Sequence, residues 1–367
     1  MVLAQIENEK DQYFKVCNYL SYFKGGNNMR KRMKRALVGV VTASMAFGLT
    51  ACGSASSDSA PAESSSSTSA EADESSGNAT TSGAEGLTIG ATYYTLQTEF
   101  CMRMDNEAKK WAEENGVKYT SYDGNNDAST QLSQVETMIA DGVDAIILNP
   151  QDADACSSCV DAAVEAGIPI IGVNTMVNND NLTAYVGSQD VSAGEEIMNY
   201  MIDYMDKDEF NIVVLEGPMG QSAQLQRIEG IENVLADYPN IKILAQNTAN
   251  WSRSEAMTLM ETWLTTYGDD IDAVVAENDE MALGAREAIE AVGKDIPCIG
   301  IDGITDAVSA IESGKMIASD FQNAEGQITG ALETAVKCVN GEEYEKEVWI
   351  PFEMITPDNY ADYQGRY

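Results

Sequence analysis

The sequence predicts an α/β protein built from two similar, doubly wound parallel-sheet lobes, and three observations carry that prediction. Short apolar runs alternate with helical patterns between residues 87 and 352, the order that builds parallel sheets covered by helices. One strand–helix–strand unit occurs twice without a gap. Asp144–Asn174 and Asp272–Asp302 align at a constant offset of 128 residues, with Asp144/Asp272, Ala145/Ala273, Ala163/Ala291, Val164/Val292, Ile168/Ile296, Pro169/Pro297 and Gly172/Gly300 identical. Finally, the apolar runs of both copies stop at polar residues: Asn149 and Asn174 in the first, Glu277-Asn278-Asp279 and Asp302 in the second. Strand–helix–strand units of unrelated proteins also look alike, but polar residues at the strand ends of both copies favour a duplicated lobe with a cleft between the halves.

Taken in order, Leu87–Tyr94 reads as a strand and Glu99–Asn115 as a helix, followed by strand Val117–Asp123 and helix Ala128–Ala140. Strand Ala145–Asn149, helix Ala155–Ala166 and strand Pro169–Asn174 come next, with Asp141-Gly142, Ala166-Gly167 and Pro169 as the breaks between them. After Thr183–Gly187 the pattern restarts with helix Ala193–Met205, strand Asn211–Leu215, helix Ala223–Leu235, strand Ile241–Ala245 and helix Ser254–Thr265. The repeated unit then closes with strand Ile299–Asp302, and strand Met316–Phe321, helix Ala324–Val339 and an extended Glu347–Phe352 finish the fold. Right-handed crossovers make each half an open parallel sheet with helices on both faces.

At 367 residues the chain holds two domains with good cores. Its formal charge is −37, and from residue 52 onward 14 basic residues face 56 acidic ones. So acidic a body is repelled by phosphate backbones, which excludes nucleic acid as a partner. The chain contains no histidine, which removes Ser-His-Asp and Cys-His catalysis and any histidine-ligated metal. Of the seven cysteines, Cys156 and Cys159 have CxxC spacing, but no second pair completes a zinc set. They fall where a helix begins, so i,i+3 packing competes with redox chemistry as their role. No metal and no cofactor is expected.

The N-terminus carries a targeting segment rather than fold. Arg30-Lys31-Arg32-Met33-Lys34-Arg35 precedes the apolar run Ala36–Ala51, which ends Leu49-Thr50-Ala51-Cys52. This order resembles the signal peptide and lipobox of bacterial lipoproteins and implies cleavage before a lipidated Cys52. Residues 29–51 are then the signal peptide, and residues 1–28 an over-extended N-terminus with translation starting at Met29. The resemblance places the protein outside the cytoplasm, anchored to the outer face of the cell membrane. Residues 52–86 read as the lipidated cysteine and a disordered tether. The 34 residues of Gly53–Gly86, without a large apolar or basic side chain, give a reach of about 30–35 Å.

Ligands of open α/β sheets bind beyond the C-terminal strand ends. The residues there include Tyr94–Phe100, Asn149, Asn174-Thr175, Glu216–Gln221, Asn250-Trp251, Glu277-Asn278-Asp279, Asp302 and Gln322, with Arg227 as a candidate cation. No GxGxxG follows the first strand and no GxxxxGK[ST] occurs, so dinucleotides and nucleotide phosphates are disfavoured. Amides, an aromatic platform and an Asp/Arg pair suit a polyol or sugar, whose hydroxyls both donate and accept and whose C–H face lies on a ring. The competing reading is structural: strand-end capping for each amide, an N-cap of the next helix for Asp302, and ordinary core for Trp251.

Residues 87–367 resemble the ribose- and galactose-binding type of the type I periplasmic sugar-binding proteins, the substrate-binding components of ABC sugar transporters. The likeness rests on Asp144-Ala145-Ile146-Ile147-Leu148-Asn149-Pro150, Asn278-Asp279-Glu280-Met281-Ala282-Leu283-Gly284-Ala285 and Ile299-Gly300-Ile301-Asp302-Gly303. Thr248-Ala249-Asn250-Trp251 with Met260 and Trp263-Leu264, and Ile355-Thr356-Pro357-Asp358-Asn359, add to it. It implies an N-terminal lobe of residues 87–188 plus 323–351 and a C-terminal lobe of 189–322 plus 352–367, joined by a three-segment hinge. The lobes would close over a neutral monosaccharide (a galactose- or glucose-like hexose, or a pentose) or a polyol and deliver it to an ABC permease, with no enzymatic turnover.

Carried over residue by residue, Phe100 and Trp251 would sandwich the sugar ring. Asn174, Arg227, Asn278, Asp302 and Gln322 would hold its hydroxyls, and Thr98 and Gln221 would face the ligand. The ribose binders have Asp-Arg where this chain has Asn174-Thr175. The galactose binders place Asp, His and Asp at Thr98, Gln221 and Ala223, and their calcium loop, expected between Met205 and Ile212, is missing. A monomer is expected. The alternative reading keeps the same site and makes the chain a sensing module that presents its ligand to a chemoreceptor or histidine kinase.

Overall fold

The computed structural model describes residues 83–366. The expected over-extended N-terminus, signal peptide, lipidated Cys52 and tether as far as residue 82 lie outside the described residues. The fold begins earlier than Leu87, however. Ala84 is buried and the Gly86 N–H donates to Gly116 O at 2.9 Å, so the end of the stretch expected to be disordered is packed onto the first lobe. Backbone bonds rather than large side chains hold it there.

Two six-stranded sheets organise the described chain. The first takes β1 (Thr88–Tyr93), β2 (Lys118–Asp123), β3 (Ala145–Asn149), β4 (Ile170–Asn174), β5 (Ala184–Gly187) and β11 (Glu347–Trp349) in the order β11-β5-β4-β3-β1-β2. The second takes β6 (Phe210–Glu216), β7 (Ile241–Thr248), β8 (Ala273–Ala276), β9 (Cys298–Asp302), β10 (Ala318–Phe321) and β12 (Glu353–Ile355) in the order β12-β10-β9-β8-β6-β7. Every pairing is parallel except β10 with β12. The central strands β3, β4, β8 and β9 are buried along their whole length, because helices cover both faces of a parallel sheet.

Helices α1 (Glu99–Asn115), α2 (Ala128–Asp141), α3 (Ser157–Ala166) and α9 (Ala324–Asn340) belong to the first lobe. The second has α4 (Asp190–Met205), α5 (Ser222–Leu235), α6 (Arg253–Tyr267), α7 (Asp279–Ala291) and α8 (Thr305–Glu312). Local chemistry sets their ends. Thr98, Asp127, Ser252 and Asn278 cap α1, α2, α6 and α7 by accepting backbone N–H bonds, while Gly116, Gly142, Gly167 and Gly341 take the left-handed conformation at the C-termini of α1, α2, α3 and α9. Helix α8 is expected from the sequence only as a helix following Asp302, without bounds. The expected extended segment Glu347–Phe352 splits into β11 and β12, because the chain leaves one sheet and enters the other around Ile350-Pro351.

The duplicated unit is duplicated in structure. Asp144 Oδ2 accepts the Thr88 N–H at 2.7 Å, and Asp272 Oδ2 accepts the Asn211 N–H at 2.8 Å, so the same carboxylate pins the start of the first strand in each lobe. Pro169 O accepts from Ile146, and Pro297 O from Val274, both at 2.9 Å. The chain crosses between the sheets three times: after β5, after β10 and after β11.

Candidate ligand-binding site

A cavity lies where the C-terminal strand ends of the two sheets face each other. It spans about 400 Å³ of space, part of it open to solvent. The first lobe lines it with Tyr94, Thr98, Phe100, Asn174 and Thr175, and the second with Gln221, Ala223, Arg227, Trp251, Asn278, Glu280, Asp302, Ile304 and Gln322. All nine residues singled out from the sequence as ligand-facing border this one cavity. The lobes also touch beside it. Met176 N–H donates to Ser222 Oγ at 2.6 Å, Ala153 N–H to Gly220 O at 3.0 Å, and Thr305 N–H to Glu99 Oε1 at 3.3 Å.

On the first-lobe side, α1 begins at the cavity. Thr98 accepts the Cys101 N–H through its side chain, which fixes the start of the helix and sets Phe100 in its first turn, 6% exposed. Asn174 closes β4 with φ 65°, a left-handed conformation that asparagine tolerates better than most residues, and Tyr185 OH donates to its carbonyl at 2.6 Å. Asn149, although at a strand end, serves as a strut: its Nδ2 donates to Val173 O, Asn174 Oδ1 and Thr175 Oγ1 at 3.0–3.2 Å. Cys156 and Cys159 are free thiols packed in the first lobe's interior away from the cavity, with Cys156 Sγ donating to Gln131 Oε1 at 3.3 Å.

The second-lobe side is organised around Arg227. Its Nε donates to Asp190 Oδ1 at 2.9 Å, Nη1 donates to Glu277 O, and Nη2 donates to Gln322 Oε1 at 3.3 Å. The ion pair needs α4 and α5 to approach closely, and glycine permits it: a Cβ on Gly194 would stand 2.1 Å from Arg227 O. Above the guanidinium, at 5.5 Å from centroid to Cζ, lies the Trp251 ring, whose Nε1 donates to Gln221 Oε1. The indole rests on Gly217, where a Cβ would fall 2.0 Å from the ring, and Glu277 Oε2 holds the Gly217 N–H at 2.8 Å.

Asn278 and Asp302 differ in whether they cap a helix. Asn278 does cap α7, with Oδ1 accepting from Met281 N–H at 3.0 Å, and it borders the cavity as well. Asp302 does not cap α8, whose N-cap is Ile304. It sits at φ 122°, followed by Gly303 at φ 71°. Asp279 holds this turn by accepting from Gly303 N–H at 2.7 Å, Ile304 N–H at 3.1 Å and Ser319 Oγ at 2.7 Å. Arg227 is hydrogen-bonded to Asp190, which was not singled out from the sequence, and its positive charge also acts on Asp302. Asp190, Glu280 and Ile304 were not expected at the site; applying the strand-end rule to β5, which ends at Gly187, would have pointed to Asp190.

Carboxyl groups outnumber cations in this interior. Burial pushes Asp302, Glu277 and Asp190 above the ordinary carboxylate range, against the pull of Arg227 on each. Burial also raises Asp279, to about 8, although its three donors oppose the shift. Asp320 on β10 is fully buried, and neither of its oxygens has a hydrogen-bond partner among the described residues. Burial raises it well above its usual value, with Glu196 adding to the effect and Arg227 opposing it. The folded protein therefore keeps a proton on Asp320 that the unfolded chain gives up at ordinary carboxylate pH. That contribution is complete below the unfolded value and is lost as pH rises toward the folded one, at about 1.4 kcal/mol per pH unit for one such group. The urea midpoint of the wild type should fall between pH 5 and pH 8, and that of Asp320→Asn should fall less steeply. Parallel profiles would show that Asp320 is not one of the groups responsible.

Two parallel-sheet lobes with a polar cavity at their facing strand ends define the type I periplasmic-binding-protein architecture. The chain belongs to the periplasmic binding protein domain family, whose model matches residues 89–343. It is 39% identical over 284 residues to the xylitol-binding protein of Mycolicibacterium smegmatis, covering 76% of this chain and 80% of that one. It is 34% identical over 324 residues to the ribose import binding protein of Bacillus subtilis, covering 88% and 99%. An ABC transporter solute-binding protein from Bacillus halodurans with bound myo-inositol superposes with a TM-score of 0.73 at 38% identity, covering 77% of this chain and 99% of that one.

Proposed function

We propose that this chain is an extracytoplasmic solute-binding lipoprotein that captures a neutral monosaccharide or polyol and delivers it to an ABC permease, without chemical turnover. The observation that carries this reading is the make-up of the shared cavity. Both lobes supply amides, Phe100 and Trp251 supply rings, and Arg227 supplies donors and Asp302 acceptors, so that a hydroxyl can be bonded from either side. Xylitol, ribose and myo-inositol, the compounds in the names of its relatives, share that uncharged polyhydroxyl chemistry. Crossings near 188/189, 322/323 and 351/352 would form the hinge. Closure is driven by contacts the ligand makes with both lobes at once, which exist only in the closed state.

A thermal-shift panel of xylitol, myo-inositol, D-ribose, D-galactose and D-glucose tests the reading on the purified lobes. A ligand at 100 times its dissociation constant stabilises by about 2.7 kcal/mol. No shift with any of the five would overturn the assignment to neutral sugars and polyols, and hydrolysis of a screened glycoside would replace binding with catalysis. The lipid anchor has its own test: Cys52→Ala should move the protein from the membrane fraction of the producing cells to the soluble one. Retention of the variant on membranes would discard lipidation at Cys52.

A further inference from the structure

Behind the cavity, and not lining it, Gln327 lies in the first turn of α9, completely buried. Its Oε1 accepts from Asn174 Nδ2 at 3.2 Å, and its Nε2 donates to Ser188 Oγ at 2.8 Å, which donates in turn to Ile350 O at 2.7 Å. Ser188 sits on the first chain crossing and Ile350 on the third. Gln327 itself follows the second by a few residues, so its side chain is bonded to the first crossing directly and to the third through Ser188, while its own helix continues from the second. The first and third crossings are also joined directly, Ile350 N–H donating to Gly187 O at 2.8 Å.

The chain of bonds has a direction, set by its ends. Val173 O and Ile350 O are carbonyls and only accept. Because Ser188 gives its proton to Ile350, it must accept from Gln327 Nε2, which turns Gln327 Oε1 toward Asn174. At the other end Asn149 Nδ2 donates to Val173 O and to Asn174 Oδ1, which turns Asn174 Nδ2 toward Gln327. Flipping either amide would set donor against donor or acceptor against acceptor in a buried place. The side chain of Asn174 is thus held in one orientation, with a second Nδ2 hydrogen and a second Oδ1 lone pair to offer a ligand hydroxyl.

We propose that Gln327 is a positioning residue that fixes the amide orientation of Asn174 and ties it to the three crossings, so that ligand contact at Asn174 and bending of the crossings are energetically linked. The inference rests on the reading of the cavity as a polyhydroxyl-binding site. Gln327→Met keeps the length of the side chain and removes both bonds, and Asn174→Gly removes the amide while tolerating the positive φ. With whichever of xylitol, myo-inositol and D-ribose binds the wild type, calorimetry should show Gln327→Met about tenfold weaker (1.4 kcal/mol). Added to Asn174→Gly, the same change should cost little more. A merely structural role would lower the melting temperature and leave the two losses multiplicative, and that result, or an unchanged affinity, would overturn the proposal. Hydrogen exchange on the ligand-free protein gives a readout independent of any sugar. Peptides containing Asn174 and Ser188 should lose protection together in Gln327→Met, and unchanged exchange in both would refute the link. Failure of all three compounds to bind the wild type would count against the binding reading, with the exchange result still deciding the coupling.

Discussion

Arg227→Met is expected to lower folding stability by about 3–5 kcal/mol and ligand affinity by at least roughly tenfold. The size follows from what the substitution leaves behind. Arg227 is 3% exposed and Asp190 1% exposed, so removing the guanidinium strands a buried carboxylate. It also removes the bonds that Arg227 donates to Glu277 O and Gln322 Oε1. Asp190→Asn added to Arg227→Met should recover part of the stability, because a neutral amide is cheaper to bury unpaired than a charge. The affinity should not return with it, since the cavity still lacks its cation. Urea denaturation and calorimetry on the single and double variants separate the two effects. A single variant within about 1 kcal/mol of wild type would mean that the pair contributes far less than its burial implies.

Trp251→Ala has the second largest expected effect. Truncating a buried tryptophan costs about 3–5 kcal/mol when the site cannot collapse, and the neighbours here are rigid: the backbone of Gly217 beneath the ring and a guanidinium tethered at three points. Trp251 also stands at φ 58°, where alanine gains no compensating side-chain bond. Affinity should fall at least about tenfold, or 1.4 kcal/mol. Trp251→Phe separates the causes, because it restores most of the ring but not the bond to Gln221 Oε1. If Trp251→Ala binds as well as wild type, the indole is core and not platform.

Much of this molecule is legible in its sequence for identifiable reasons. The period of the apolar runs and the repeat gave the lobes. The repeat is informative because Asp144 and Asp272 do the same work, each bonding the first strand of its own sheet. Several cavity residues could be read from the strand-end rule, since β4 and β9 stop at Asn174 and Asp302 and Asn278 follows β8 by two residues, whereas Asn149 at the end of β3 braces its neighbours instead. What stayed hidden depends on packing between distant segments. The Asp190–Arg227 pair is 37 residues apart and exists because two helices touch at glycine. Gln327 reads as an ordinary polar residue in a helix until the three crossings are assembled around it. The positive φ of Asp302 has no signal of its own beyond the glycine that follows.

The contacts between lobes outside the cavity, Met176 N–H to Ser222 Oγ and Thr305 N–H to Glu99 Oε1, involve no cavity-lining side chain. Under the hinge closure proposed above, they would set how much of the population is already shut, and apparent affinity would scale with that fraction for every solute alike. Substitutions at Ser222 or Glu99 would therefore raise or lower the concentration at which the protein fills without changing which solute it prefers. Adaptation to scarcity and adaptation to a new nutrient can proceed through different residues of the same chain.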